Sequence, residues 1–148
     1  MRAAAAAAAG LALFAGLAGG ARADTVRLEA HGGALVVTAT VNDRLSGRFL
    51  LDTGASYCVL SRGAARQARI RQRTGGPTVR LRTAGGEIEA TVGEARKVEV
   101  GGAVARKVSV AVVDGEPVPG LAGVIGLSFL ERFRYTVDAQ EGTLELRR

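Results

Sequence analysis

One stretch of the sequence combines residue types and spacing that could support acid–base chemistry. Asp52 lies between the apolar run Phe49-Leu50-Leu51 and the loop sequence Thr53-Gly54-Ala55-Ser56. An apolar strand would here deliver one carboxylate into a tight turn, where the glycine permits close backbone approach and the two hydroxyls can hold the carboxylate. Asp and Thr before Gly are also ordinary turn residues. The second apolar run, Cys58-Val59-Leu60, follows the loop and favours the functional interpretation.

Other catalytic and metal chemistry is limited by the composition. The 148 residues include one histidine, His31, and one cysteine, Cys58. A four-cysteine or multi-histidine metal site within one chain is therefore excluded, and no internal disulfide can form. A cysteine nucleophile would need His31 as its base, and nothing in the sequence places the two together. We expect no metal and no cofactor, and we interpret Cys58 as a small buried core residue.

The chain is basic, with a formal net charge of +6. Such a charge raises nucleic acid and anionic membranes as partner classes. Arg62, Arg66, Arg69 and Arg73 are spaced so that they could share one helical face, and Arg71 would extend this basic patch. No aromatic residues interleave with these arginines, which argues against nucleic acid. A solvated face is the simplest interpretation, and weak contact with an anionic envelope polymer or lipid is the alternative.

The N-terminal segment is typical of a secretory signal peptide. Met1 and Arg2 precede an apolar run over residues 3–18, and Ala21-Arg22-Ala23 has small residues at both positions that a signal peptidase recognises. The run is short and glycine-rich for a full membrane span. We therefore expect residues 1–23 to be a signal peptide, with an uncleaved anchor as the alternative. Residues 24–148 would form one periplasmic or secreted domain, or one held at the inner membrane if the segment is retained.

The remaining sequence predicts many short strands. Alternating or β-branched runs are separated by turns rich in Gly, Asn and Asp, and no long helical periodicity is present, which argues against a doubly wound α/β fold. Ser61 can cap a short helix that extends to about Arg69, and residues 126–133 suit a second short helix. This pattern predicts an all-β barrel or sandwich with one or two short helices. The predicted strands cover residues 25–30, 34–41, 45–51, 57–60, 77–83, 87–92, 97–100, 104–113, 135–137 and 143–146.

Taken together, these features resemble the retropepsin-like aspartic peptidases, and more narrowly their single-domain bacterial members. In that family an Asp-Thr-Gly follows an apolar strand, as at Asp52-Thr53-Gly54, and an apolar-apolar-Gly element precedes a late helix, as at Val124-Ile125-Gly126. The hairpin at Thr83-Ala84-Gly85-Gly86, with Gly85-Gly86 at its tip, lies between them, where such enzymes carry a flap that closes over substrate. The resemblance extends from about Leu35 to the end of the chain. It implies a closed retropepsin-like acid-protease barrel.

The resemblance also implies an aspartic endopeptidase with two carboxylates that share one proton. The Asp-Thr-Gly sequence occurs once, and Asp114, which no Thr or Ser follows, is interpreted as a turn residue. The second carboxylate would then be Asp52 of a second copy in a homodimer. We expect the dimer to be held by pairing at the chain ends, where the first strand and Thr143–Leu146 would otherwise be open edges.

The substrate implied by this resemblance is an extended peptide or protein segment, bound as an added strand in a cleft beneath the flap. The alternative is a non-catalytic periplasmic domain that keeps the fold and binds peptides or another partner. A third interpretation is a structural β-domain held at the envelope by its arginines. The intact Asp52-Thr53-Gly54 argues against a decayed site but leaves these alternatives open.

Overall fold

The structure is a computed structural model that describes residues 22–148. The predicted signal peptide, residues 1–23, therefore lies outside the described residues except for its last two. The described chain forms eleven strands and two short helices. The strands are β1 (Ala23–Arg27), β2 (Glu29–His31), β3 (Ala34–Val41), β4 (Leu45–Leu51), β5 (Cys58–Ser61), β6 (Thr78–Thr83), β7 (Gly86–Val100), β8 (Ala103–Val113), β9 (Gly123–Ile125), β10 (Arg134–Asp138) and β11 (Thr143–Arg147). The helices are α1 (Arg62–Gln67) and α2 (Leu127–Leu130).

Eight strands form one sheet in the order β2-β3-β4-β9-β5-β8-β7-β6. Strand β3 also pairs with β7, with Ala39 opposite Val100 and Val41 opposite Val98, so the sheet closes on itself. Strands β1, β11 and β10 form a separate antiparallel sheet. This architecture confirms the predicted all-β fold with two short helices.

The core follows from the alternation of side chains along these strands. In β3, Val37, Ala39 and Val41 are buried while Thr38 is exposed, as expected for a strand with one face inside a closed sheet. The largest cluster includes Phe49 and Phe129, both about 1% exposed or less. A smaller cluster of Val59, Ala90, Ala111, Val113 and Val124 lies beneath the β6–β7 hairpin. The structure therefore has a main core and a second apolar layer facing the hairpin.

The two strands predicted over residues 87–92 and 97–100 are parts of one strand, β7. Gly93, which interrupts the apolar alternation, is not in a turn. A Cβ atom at Gly93 would lie 2.7 Å from Cγ2 of Ile70 and 2.9 Å from the carbonyl oxygen of Arg71. Arg71 forms a β-bridge with Glu94 at this point, with backbone N–O distances of 3.1 and 3.3 Å. The glycine is needed because another segment crosses the strand closely.

The first helix is shorter than predicted. Ser61 caps it as expected, since its Oγ accepts a hydrogen bond from the amide of Ala64 at 3.1 Å. The helix ends at Gln67, and Arg69 follows with a φ of 52°. The prediction that the arginines share one helical face is therefore wrong: only the first two lie on α1. Contact of this region with an anionic envelope stays a prediction.

The chain ends pair differently from the expected arrangement. Strand β11 lies between β1 and β10, with Ala23 opposite Arg147 and Arg134 opposite the same residue on the other side. The expectation that Thr143–Leu146 is an open edge is therefore wrong, because both of its edges are occupied within one chain. The edges of this sheet are β1 and β10. No helix within residues 22–148 has the length and apolarity needed to cross a membrane.

Asn42 links three segments of the fold through its side chain. It is 3% exposed, and it lies in the β3–β4 turn with a φ of 52°. Its Nδ2 donates to the carbonyl of Ala68 at 2.8 Å, and its Oδ1 accepts from the amide of Lys97 at 3.0 Å. These bonds tie the turn to the end of α1 and to the middle of β7.

We predict that Asn42→Gly destabilises the protein by about 1–3 kcal/mol in urea unfolding, because a buried carbonyl and a buried amide lose their partners. Glycine tolerates the positive φ, so backbone strain does not contribute. The matched control is Asp43→Gly, since Asp43 has a φ of 57° but an exposed side chain, whose surface ion pair with Lys97 contributes little to stability. Equal effects of the two substitutions would show that the Asn42 hydrogen bonds do not stabilise the fold.

Candidate active site

Asp52 follows the last residue of β4. Leu51 of that strand is paired in parallel with Ile125 of β9, and the amide of Asp52 donates to the carbonyl of Ile125 at 3.0 Å. The Asp52 residue is half-buried. Its backbone is therefore fixed by the end of a sheet, as expected for a functional loop that a rigid scaffold positions.

The loop after β4 holds the Asp52 carboxylate through a backbone donor. Oδ1 of Asp52 accepts a hydrogen bond from the amide of Gly54 at 2.8 Å, and the amide of Ala55 donates to the carbonyl of Asp52 at 3.3 Å. Within residues 22–148, neither the Thr53 hydroxyl nor the Ser56 hydroxyl donates to this carboxylate. The turn geometry itself orients the acid, which leaves Oδ2 of Asp52 without a hydrogen bond in the described chain.

The late apolar-Gly element crosses directly behind this loop. The amide of Leu127 donates to the carbonyl of Ala55 at 2.7 Å, and the amide of Ser128 donates to the carbonyl of Ser56 at 3.0 Å. A Cβ atom at Gly126 would lie 2.7 Å from the Ala55 oxygen and closer still to the carbonyl oxygen of Tyr57. Glycine is thus required at position 126 by the close passage of two backbone segments. Val124 and Ile125 place this segment between β4 and β5.

Cys58 begins β5 beneath the loop and is 4% exposed, which confirms its interpretation as a core residue. Burial raises the pKa of the Cys58 thiol, and hydrogen bonding with the Ser128 hydroxyl opposes this effect only in part. Ser128 Oγ also accepts from the amide of Cys58 at 2.9 Å and donates to the carbonyl of Ser109 at 2.8 Å. Because the neutral thiol is favoured, Cys58 is poorly suited to act as a nucleophile.

Asp52 borders a cleft of about 770 Å³ between the sheet and the β6–β7 hairpin. Leu50, Val59 and Val124 line the cleft from the sheet, and Pro117 and Val118 line it from the loop between β8 and β9. From the hairpin come Arg80, Leu81, Arg82, Thr83, Ala84, Glu87 and Ile88. The cleft therefore combines an apolar interior with a carboxylate, as ligand-binding clefts commonly do, and the hairpin overhangs it.

The hairpin tip lies one residue earlier than the sequence suggested. Ala84 and Gly85 form the turn, whereas Gly86 pairs with Thr83 at the start of β7 and has a φ of 116°. The Thr83 hydroxyl accepts from the amide of Gly85 at 3.2 Å and donates to the carbonyl of Gly86 at 2.8 Å. A threonine side chain thus closes the tip through two local hydrogen bonds.

The structure brings only some of the predicted site residues to the cleft. Ile125 and Gly126 are not among its lining residues and support the loop from behind. The other predicted residues outside the lining are Thr53, Gly85 and Gly86. Sequence reasoning missed the lining residues from the strands of the hairpin and from the loop before β9. For the hairpin residues, the available signal was the alternation Arg80-Leu81-Arg82 before the predicted tip. The predicted residues that line the cleft are Asp52, Gly54, Ala55, Ser56, Thr83, Ala84 and Val124.

Two carboxylate residues line the cleft in the described chain, Asp52 and Glu87. Glu87 lies 3.8 Å from Arg82 across the hairpin. Asp114 is outside the cleft lining, and its Oδ1 accepts hydrogen bonds from Nε and Nη2 of Arg62 at 2.8 and 2.5 Å. Residues 22–148 contain no group of three or more side chains that could hold a metal ion. One chain thus brings a single aspartate to this site.

Comparison with known proteins places these features in a family. The family model described as aspartyl protease matches residues 37–129, which include the Asp52 loop, the hairpin and the segment that ends at Gly126. A solved retropepsin-like aspartic protease from Rickettsia conorii is similar in structure, with a TM-score of 0.60 and 22% sequence identity. The match covers 86% of this chain and 94% of that chain, and it shows a shared fold. No curated protein matches this sequence.

We predict that Gly126→Ala destabilises the protein by about 1–3 kcal/mol, because the added methyl group meets two backbone carbonyls that cannot rotate away. The backbone at Gly126 has a φ of −114°, which alanine adopts freely, so the effect measures the clash alone. The matched control is Gly63→Ala in α1, where a Cβ atom meets nothing closer than 3.9 Å. That change should raise stability by up to about 1 kcal/mol through helix propensity. Thermal unfolding that responds equally to both would contradict the close approach.

Proposed function

The chain belongs to the aspartyl protease family and has a retropepsin-like fold, and from this premise we propose that it is an aspartic endopeptidase that uses Asp52. The observation that carries the proposal is the placement of Asp52. Its carboxylate is oriented by the amide of Gly54 and borders a cleft that is lined by both the sheet and the overhanging hairpin. This is the arrangement that cleavage of an extended peptide requires.

The reaction needs a second carboxyl group beside Asp52, because one must accept a proton while the other donates one. In the proposed dyad the ionised carboxylate takes a proton from a water molecule, and the oxygen of that water attacks the peptide carbonyl carbon. The protonated carboxyl hydrogen-bonds the developing oxyanion. The C–N bond then breaks, and the leaving nitrogen takes up the proton that the first carboxylate accepted from water. The flap residues Thr83 and Ala84 would close over the substrate and exclude water.

We propose that the second carboxyl is Asp52 of the partner subunit in a homodimer. Two observations support this. The described chain brings no second Asp-Thr-Gly to the cleft, and Asp114 is engaged by Arg62 instead. A twofold axis beside Asp52 would supply the missing group by symmetry. Strands β1 and β10, at the edges of the chain-end sheet, offer backbone groups for pairing between subunits.

A non-catalytic peptide-binding domain is the second candidate, and the single aspartate of the cleft is what favours it. A chain that stays monomeric would retain the cleft, the hairpin and the sheet, but it would lack the group that completes the reaction. Binding of peptide without turnover is the property that distinguishes this candidate from the endopeptidase.

We predict that Asp52→Asn lowers kcat/KM for peptide cleavage by about 10²–10⁴-fold, the contribution expected of a general acid–base group. Asparagine keeps the size of the side chain and an oxygen that can accept from Gly54, so the fold should be retained in circular dichroism. Asp114→Asn is the matched control, since Asp114 lies outside the cleft lining and should leave cleavage unchanged. Undiminished cleavage by Asp52→Asn would contradict the proposal.

The same variant tests the shared dyad. Excess Asp52→Asn protein added to a fixed amount of wild type should lower its activity, because mixed dimers hold one normal Asp52. Specific activity of the wild type should also fall on dilution. If a species that sediments as a monomer cleaves peptide at the full rate, the partner of Asp52 must lie within its own chain.

We also propose that the protein acts outside the cytoplasm, in the periplasm or as a secreted protein. The support is the sequence of residues 1–23, with its positive start, apolar run and small residues at the cleavage positions. N-terminal sequencing of the exported protein should then begin at Asp24. A start at Met1 in a membrane fraction would indicate the retained anchor, and a start at Met1 in the cytosolic fraction would overturn the proposal.

A further inference from the structure

The hairpin brings three charged side chains to the cleft, those of Arg80, Arg82 and Glu87. Arg82 and Glu87 are opposite each other in the hairpin register and form an ion pair at 3.8 Å. Arg80 is opposite Glu89, but these two form no ion pair, and Glu89 is not a lining residue. Within residues 22–148, Arg80 is therefore the cleft cation whose charge no ion pair balances.

Apolar side chains make up most of the cleft lining, and Arg80 is an exposed residue at its border. Leu81 and Ile88 are directly opposite each other on the hairpin, and both line the cleft. Ile88 is 38% exposed, and it is the large apolar side chain that the described chain leaves exposed. Across from the hairpin, Leu50 and Val124 provide the apolar surface of the sheet. A ligand that fills this cleft would bury apolar groups against these residues and would lie beside the guanidinium of Arg80.

Side chains alternate between the two faces of an extended strand. Arg80 and Leu81 therefore lie on opposite faces of β6, and both border the cleft. An extended peptide lying beside β6 alternates in the same way, so adjacent residues of the peptide would meet the apolar layer and the arginine in turn. The recognised feature would be an apolar residue next to a residue of opposite charge to Arg80.

We propose that Arg80 makes the cleft select peptides that carry an acidic side chain next to the apolar residues bound beneath the hairpin. This inference rests on the proposed function, because it assigns the substrate class of the same cleft. The Asp52 carboxylate acts at the reacting bond, whereas Arg80 acts on a flanking side chain. Residues 24–148 carry a formal net charge of +4, because Arg2 and Arg22 lie in the segment before them, and this charge attracts acidic peptides during encounter.

The test uses fluorogenic peptides with a central apolar pair and Glu, Gln or Lys placed in turn at each flanking position. At one position, kcat/KM of the wild type should be about three- to tenfold higher for Glu than for Lys, the size expected of an exposed ion pair. The ratio should shrink in high salt, which screens such pairs. Arg80→Gln should bring the ratio to about one, and Arg80→Glu should reverse it. The matched control is Arg106→Gln on β8, which is exposed, lies outside the cleft lining and should keep the wild-type ratio.

The outcomes separate this inference from the proposed function. Cleavage at equal rates for Glu, Gln and Lys at every position would overturn the inference and leave the endopeptidase in place. If no peptide is cleaved, the endopeptidase proposal fails, and fluorescence anisotropy with the same labelled peptides decides the inference. Tighter binding of the Glu peptide, lost in Arg80→Gln, would support it; equal binding or no binding would overturn it.

Discussion

The close passage of two backbone segments behind Asp52 is the constraint on which the rest of the structure depends. Strand β9 lies between β4 and β5, and its continuation is hydrogen-bonded to Asp52, Ala55 and Ser56 only because Gly126 has no side chain. These bonds join the end of β4 to the start of α2, so the loop that carries the carboxylate cannot shift without breaking the middle of the sheet. The orientation of the acid is thus fixed by main-chain geometry, and a site held by the regular elements of a fold is positioned more precisely than one on a free loop.

The closed sheet supports Asp52, and the hairpin covers the cleft beside it. Pairing of β3 with β7 closes the strands around the main core, whereas the first part of β7 extends beyond that ring and pairs with β6. The same strand is therefore anchored at Val98 and overhanging at Ile88. Strand β7 in this way joins the closed sheet, which carries Asp52, to the hairpin that overhangs the cleft. The smaller apolar cluster under the hairpin makes part of the cleft lining continuous with the packed interior.

Local features of this fold could be predicted from the sequence, and features set by distant contacts could not. The Asp52 loop, the Ser61 cap and the last hairpin each depend on a few neighbouring residues, so their patterns were sufficient. Gly93 was misinterpreted because a glycine in a turn and a glycine under a crossing segment look the same in sequence. The arginine spacing suggested a helical face, but Asn42, from another part of the chain, binds the carbonyl that ends the helix. Arg80 lines the cleft because of where the hairpin lies in the fold. The alternation of side chains along β6 alone gave only a weak signal of that position.

Pairing of β1 with β11 has a consequence for the order of assembly. Strand β1 pairs with β11, which comes much later in the sequence, so the chain-end sheet cannot form until β11 has been synthesised. Contacts between residues so far apart in sequence form late, because the intervening chain must first be ordered. During elongation, β1 remains an unpaired segment, and the closed ring has to form without it.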